Sequence, residues 1–209
     1  MEQKKTAGKQ IMQEQTSQEE QQPLWKAIQE EQQPLLEEQP PLPEAQQSLR
    51  KASALKEDQL QIQIREMRIE DYNAVHALWM TIRGFGIRSI DDSQEGVGRF
   101  IRRNPSTSVV AEENGRIVGA ILCGHDGRRG CFYHVCVHED FRKKGIGKAM
   151  AVFAMKALQK EQINKVSLIA FKQNTVGNHF WKSVGWTFRE DLNYYDFTLN
   201  DANITQFNQ

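Results

Sequence analysis

The sequence predicts an α/β domain built on a mixed, mostly antiparallel central sheet with helices on both faces. Three observations predict it. Apolar residues alternate with period two in "IQIREM", "CFYHVCV" reads as a further β run, and apolar residues recur at helical spacing around 70–82, 92–103 and 145–160. Two β runs flank Asn114-Gly115, a dipeptide preferred in type I′ hairpin turns. Near residue 60 the composition changes from polar and Gln/Glu-rich to globular.

The 209 residues allow one domain with an appendage. The 27 Lys/Arg balance 27 Asp/Glu, so no global charge argues for nucleic acid or an acidic membrane as partner. That balance hides an asymmetry: residues 1–59 carry 7 Lys/Arg against 11 Asp/Glu, and the remainder 20 against 16. The polar N-terminus lacks an apolar core, so no signal peptide is expected. No run approaches the ~18 apolar residues of a membrane span. Cys123, Cys131 and Cys136 lie in apolar, strand-like context, as small buried hydrophobes of a reducing cytoplasm would. A reactive thiol is the competing reading. With neither CxxC nor HxH spacing, no metal site is expected.

Residues 1–59 read as a disordered tail. "QEQTSQEEQQ" and "QEEQQPLLEEQPPLPEAQQ" hold too few apolar residues to offset ordering entropy, and five prolines interrupt any long helix. "PPLP" is a short match to polyproline-type ligands. From residue 60 each element has a local cause. "IQIREM" is a strand. Glu70 and Asp71 open a helix whose face is Val75, Leu78, Trp79 and Ile82. "RGFGIRSIDD" is a glycine-containing loop. A second helix near 92–103 carries Val97, Phe100 and Ile101, and Asn104-Pro105 stops it. The Asn114-Gly115 hairpin and the turn "HDGRRG" lead through three antiparallel strands to Val137. A helix over 145–160 follows, its face assigned to Ile146, Ala149, Met150, Phe153, Ala157 and Leu158. "KVSLIAF" reads as a buried strand. Asn174 opens a short helix with Val176, Phe180 and Val184 in register, which Gly185 ends. "WTFRE" and "YYDFTL" are assigned as two closing strands. The expected order is β-α-α-β-β-β-α-β-α-β-β, with residues 201–209 as a C-terminal tail.

The stretch "VHEDFRKKGIGKAM" carries the chemistry. A helix start exposes unpaired N–H groups and about half an elementary positive charge. Gly145 and Gly147 let a ligand approach the backbone, and Arg142, Lys143 and Lys144 add cations. This combination suits a pyrophosphate; an ordinary strand-to-helix turn with a solvated basic surface is the alternative. The Walker A pattern GxxxxGK[ST] is absent, and GxGxxG fails at Met150.

"V-H-E-D-F-R-K-K-G-I-G" resembles motif A of the GNAT superfamily of acyl-CoA-dependent N-acyltransferases, a strand ending in Val followed by R/Q-x-x-G-x-G/A at a helix start. Downstream, "N-T-V-G-N-H-F-W-K-S-V-G-W" resembles motif B of the same superfamily. The resemblance covers residues 60–200. It is greatest to small bacterial acetyltransferases of unassigned substrate, which share the "GHDGRRG" hairpin.

The resemblance implies a GNAT-type fold and acetyl-CoA as cosubstrate. The pyrophosphate is then held by Arg142, Lys143, Lys144, Gly145, Ile146, Gly147 and Lys148. The pantetheine arm pairs along Val135 and Val137, and the Val137 backbone N–H acts as oxyanion donor. Asn174 is either a cofactor contact or simply a helix cap. Trp181 stands where many members carry a Tyr that protonates the leaving thiolate, and Gly177 replaces the usual Ala. Trp181 is then a cofactor contact rather than an acid, with Tyr194 or Tyr195 as a substitute acid. His134 and Tyr133, expected on opposite faces of one strand, are the candidate bases, against the reading of a packed structural histidine. Arg83 and Arg88 are candidate substrate contacts for a carboxylate, and Asp91 and Asp92 either attract an amine or cap the second helix. The expected activity is acetylation of a small-molecule amine or a peptide or protein N-terminus by a cytoplasmic enzyme, dimerisation being common in the superfamily. The rival is a non-catalytic acyl-CoA-binding regulator with a protein-interaction tail.

Overall fold

The computed structural model describes residues 62–209. The expected tail at 1–59 lies outside the described residues. Those described form two compact units, one of residues 62–169 with 196–209, the other of residues 170–195.

The larger unit holds a five-stranded sheet in the order β1-β3-β4-β5-β6. Its strands are β1 (Ile62–Glu66), β3 (Val109–Glu113), β4 (Arg116–His125), β5 (Gly130–Val137) and β6 (Val166–Leu168). The first four pair antiparallel, and β6 joins β5 in parallel. The hairpin between β3 and β4 turns at Asn114 and Gly115, whose φ values of 50° and 79° are those of a type I′ turn.

Helices cover both faces. Helix α1 (Tyr72–Thr81) buries Val75, Leu78 and Trp79, and Ile82 just beyond it is buried too. These pack with Val97 of α2 (Gln94–Arg103) against Val110, Ala120, Leu122 and Cys136 of the sheet. Each Val, Leu or Ile among them contributes roughly 1.5–3 kcal/mol when buried. On the other face lies α3 (Ile146–Lys160). A Cβ on Gly119 of β4 would come within 2.8 Å of Met150 Cε, and one on Gly130 of β5 within 2.7 Å of Leu158 Cδ1. Strand alternation puts Gly119 and Ala120 on opposite faces, so α1 and α3 sandwich the sheet. The buried stripe of α3 is Ile146, Met150, Ala151, Ala154 and Leu158. Ala149, assigned to that stripe from periodicity, is exposed. The row i, i+4, i+8, i+12 from Ile146 meets the sheet, and Ala149 falls off it.

The C-terminal end departs from expectation. Neither "WTFRE" nor "YYDFTL" forms a strand. Instead β7 (Thr205–Phe207), placed in the expected tail, pairs antiparallel with β2 (Gly86–Arg88), placed in the expected loop. Backbone bonds extend this ladder, from Gly84 N–H to Asn208 O at 3.0 Å, Asn208 N–H to Phe85 O at 2.9 Å and Ser89 N–H to Ile204 O at 2.9 Å, and side-chain amides brace its two ends. Asn203 Oδ1 accepts from Ile90 N–H at 3.0 Å, and Asn208 Nδ2 donates to Trp79 O at 2.7 Å and Ile82 O at 3.0 Å. The carbonyls of Trp79 and Ile82, at the end of α1, thereby gain a second donor beside the backbone N–H groups of Ile82 and Phe85. Strand β6 is also shorter and more exposed than a buried strand.

In the smaller unit, α4 (Thr175–Ser183) starts at Asn174, whose Oδ1 accepts from Gly177 N–H at 2.9 Å. Gly185, at φ 87°, ends it. Val176, expected on its apolar face, is 70 % exposed. Among the described residues no helix is long and apolar enough to cross a membrane. Replacing Asn208 by Ala removes two side-chain hydrogen bonds at the end of α1, whose carbonyls keep only their backbone donors Ile82 N–H and Phe85 N–H. Urea unfolding is expected to show a loss of about 1–2 kcal/mol with an unchanged slope.

Candidate functional site

Strand β5 is irregular where the sequence predicted plain alternation. Ala120 lies opposite Cys136 and Leu122 opposite Tyr133, so β5 spends one more residue than β4 across this interval. His134 sits within this bulge with φ 47°. The surplus residue breaks the two-residue period. Tyr133 meets Phe100 of α2 edge-on, with centroids 5.8 Å apart. His134 packs on Trp79 of α1 at 4.7 Å and on Phe85 at 5.3 Å. Both candidate bases therefore face α1 and α2, which corrects the expectation that they lie on opposite faces.

The two residues differ in their surroundings. Tyr133 is 48 % exposed. The His134 side chain is 12 % exposed, and its Nε2 lies 2.7 Å from Asp92 Oδ1. Asp92 Oδ2 accepts the Arg88 N–H at 2.6 Å, and the Asp92 carbonyl accepts the Tyr72 hydroxyl at 3.0 Å. Asp92 thus neither caps α2 nor reaches solvent. The cap is Ser93, whose Oγ accepts from Gly96 N–H at 3.1 Å. Asp91 is exposed and accepts from Asn203 Nδ2 at 2.6 Å. Spacing alone could not separate Asp91, Asp92 and Ser93 as caps. Arg83 and Arg88 are both exposed, on the loop after α1 and on β2.

Past the bulge, β5 turns its main chain outward. His138 N–H donates to Val118 O at 2.8 Å. In an antiparallel ladder the neighbouring residue then points its N–H and C=O the other way. That residue is Val137, opposite Gly119. Arg142 Nε donates to the outward Val137 carbonyl at 3.0 Å. On this outer side the parallel ladder joins only Gly130, Cys131 and Phe132 to Val166, Ser167 and Leu168. The ladder ends at Phe132, where β6 itself ends at Leu168, and Val135 and Val137 lie beyond it along β5.

The start of α3 faces the same end of β5. Lys143 and Gly145 take left-handed φ values of 63° and 79°. A Cβ on Gly145 would meet nothing within 4 Å, so the backbone angle rather than crowding calls for glycine there. Gly145 is the N-cap, and no side chain caps the helix. The first intrahelical bond runs from Ala149 N–H to Gly145 O at 3.0 Å. The amides of Ile146, Gly147 and Lys148 precede it and are left for another acceptor. Arg142, Lys143, Lys144 and Lys148 are exposed around them. Lys144 Nζ lies 4.9 Å from the Phe141 ring centroid, which anchors the turn without quenching its charge. Together these features fit a diphosphate.

Asn174 and Trp181 belong to the smaller unit, where Asn174 caps α4 and Trp181 is buried against Phe180 and Trp186. Burial pushes the thiols of Cys123 and Cys136 up to about 12, which leaves neither available as a nucleophile near neutral pH. Alkylation of the native protein at pH 8 is expected to spare both, and unfolding to make them reactive, as read by peptide mass spectrometry.

The model of the Acetyltransferase (GNAT) family matches residues 64–186. The chain is 35 % identical over 113 residues to "Acetyltransferase ECA0875" of Pectobacterium atrosepticum, covering 54 % of this chain and 79 % of that protein. It is 33 % identical over 113 residues to "Acetyltransferase SG1711" of Sodalis glossinidius, covering 54 % and 78 %. Its fold is similar to that of PaiA N-acetyltransferase from Thermoplasma acidophilum, solved in complex with coenzyme A. The TM-score is 0.55 at 18 % identity, over 69 % of this chain and 96 % of that one. It is also similar to AAC(6')-Iy, solved with a bisubstrate analogue, with a TM-score of 0.54 at 16 % identity, over 66 % and 99 %.

Proposed function

The chain belongs to the GNAT acetyltransferase family and is an acyltransferase, and from that premise we propose that it moves an acetyl group from acetyl-CoA to a primary amine by direct attack. The observation that carries this reading is the uncapped start of α3 behind Gly145, next along the chain from the end of β5 that lies beyond the β6 ladder.

Acetyl-CoA supplies the reactive thioester. The amides of Ile146, Gly147 and Lys148 bind its diphosphate, and Arg142, Lys143 and Lys144 offset the charge. The open edge at Val135 and Val137 takes the pantetheine arm as a further strand would be taken. The roles of Asn174 and Trp181 as cofactor contacts rest on the second motif. The Val137 N–H donates to the thioester oxygen as negative charge gathers there, an effect worth roughly 3–4 kcal/mol in other acyl-transfer sites.

His134 lies three residues before Val137. At about 3.3 Å of rise per strand residue, and less across the bulge, this is at most roughly 10 Å, a span that one side chain and one water bridge. His134 takes the proton that the amine gives up as its nitrogen bonds to the thioester carbon. The carbon–sulfur bond breaks, and the thiolate recovers a proton from the imidazolium or from solvent. Trp181 supplies no acid, but a thiol with a reference pKa of about 8.5 is a tolerable leaving group without one.

Titration calorimetry with acetyl-CoA tests the cofactor step, and the absence of heat at millimolar concentration would sink the reading. Gly147→Glu is expected to abolish binding, because a carboxylate fills the diphosphate site. The helix itself should tolerate the change, since Glu suits a first turn. Thiol release over a panel of polyamines, amino acids, aminoglycosides and free-N-terminal peptides tests the transfer. Tight binding with no turnover on any of them would favour the non-catalytic binder instead.

A further inference from the structure

We propose that Asp92 is a positioning residue for His134: its buried carboxylate fixes the proton of the neutral imidazole on Nε2 and reserves Nδ1 as the proton-accepting atom. The proposal rests on the acetyl-transfer reading and extends it to a residue that no motif marks.

The chemistry of the pair carries the argument. A neutral imidazole has one N–H donor and one lone-pair acceptor, and an ionised carboxylate only accepts. At 2.7 Å from Asp92 Oδ1, Nε2 must therefore be the protonated nitrogen. The lone pair is left on Nδ1. Asp92 is itself fixed. It is 5 % exposed, its Oδ2 holds the Arg88 N–H at 2.6 Å, its carbonyl holds the Tyr72 hydroxyl, and its own N–H donates to Arg88 O at 3.0 Å. The imidazole is confined from two sides by the rings of Trp79 and Phe85.

Packing alone does not require this arrangement. A buried carboxylate is costly to desolvate, and an apolar pair would fill the same space. The His134 backbone also holds a left-handed φ of 47°, which favours glycine or asparagine. A histidine kept at that angle, with its partner carboxylate locked, is the layout in which an acid orients a base and steadies the imidazolium that forms. When Nδ1 takes the proton from the attacking amine, the cation shares its Nε2–H with Asp92. When Nδ1 releases that proton, the original tautomer returns.

Asp92→Asn distinguishes positioning from packing. The amide oxygen can keep the Arg88 N–H, which turns the amide NH2 toward Nε2 and forces the imidazole proton onto Nδ1. Ring-nitrogen NMR on 15N-histidine-labelled protein is expected to show the Nε2–H tautomer at His134 in the native enzyme and the Nδ1–H tautomer in the variant. With acetyl-CoA and the best acceptor of the amine panel, kcat is expected to fall about a hundredfold or more, with acetyl-CoA affinity unchanged. In a His134→Ala background, Asp92→Asn should add little further loss. An Nδ1–H tautomer in the native protein overturns the proposal. So does an unaltered kcat in Asp92→Asn, or an equal loss with and without His134. A native enzyme that acetylates no amine of the panel overturns the acetyl-transfer reading and the base role together. Turnover that survives Asp92→Asn overturns the positioning role alone.

Discussion

Between Ala120 and Leu122 strand β4 advances two residues, while β5 advances three, from Cys136 to Tyr133. His134 takes up part of the surplus with a left-handed φ. Much of the site follows from this local mismatch. On the near side of the bulge, Gly130 to Phe132 pair with β6, and the bare backbone of Gly130 lets Leu158 of α3 approach. At the bulge, two consecutive side chains, Tyr133 and His134, face α1 and α2. On the far side the strand resumes with Cys136 in the α1 core and with the main chain of Val137 directed outward. A regular strand would have kept its period and put Tyr133 and His134 on opposite faces of the sheet.

The start of α3 solves a different problem with the same economy of parts. A helix end that is uncapped by its own side chains is a standing demand for an acceptor. Here the N-cap is a glycine in the left-handed region, and it carries no side chain that could cap the amides behind it. The exposed cations of Arg142, Lys143 and Lys144 supply attraction over a few ångströms, while the amides supply direction. Salt screens the first more than the second. The buried row from Ile146 to Leu158 fixes this helix to the sheet, and so fixes the amides relative to β5.

The face of β5 that carries His134 is tied to the segment around β7. Asn203 and Asn208 tie the segment from Trp79 to Asp91 to β7. That segment leads directly into Asp92, whose carboxylate meets His134. A chain of specific hydrogen bonds thus links residues more than a hundred positions apart to the imidazole on β5. The C-terminal segment is part of the scaffold of this unit, although its side chains are largely exposed and carry no apolar pattern.

By itself the sequence determined the elements whose stability is local. The Asn114-Gly115 turn, the α1 face of Val75, Leu78, Trp79 and Ile82, the Asn174 cap and the Gly185 stop are all set by residues within a few positions of one another. The glycine-rich start of α3 was legible for the same reason, since glycine, cations and helix periodicity are contiguous. Tertiary structure alone decided the rest. A bulge depends on the register of two strands, so alternation could not show that Tyr133 and His134 share a face. The β2–β7 pair is a three-residue backbone ladder between distant segments, braced by asparagine side chains and without apolar alternation, so it read as a loop and a tail. Asp92 could have capped α2 as well as Ser93 does, and only a histidine 42 residues away in the chain selected its role. Local pattern records the free energy of short-range contacts; the site is built from long-range ones, which a one-dimensional period does not encode.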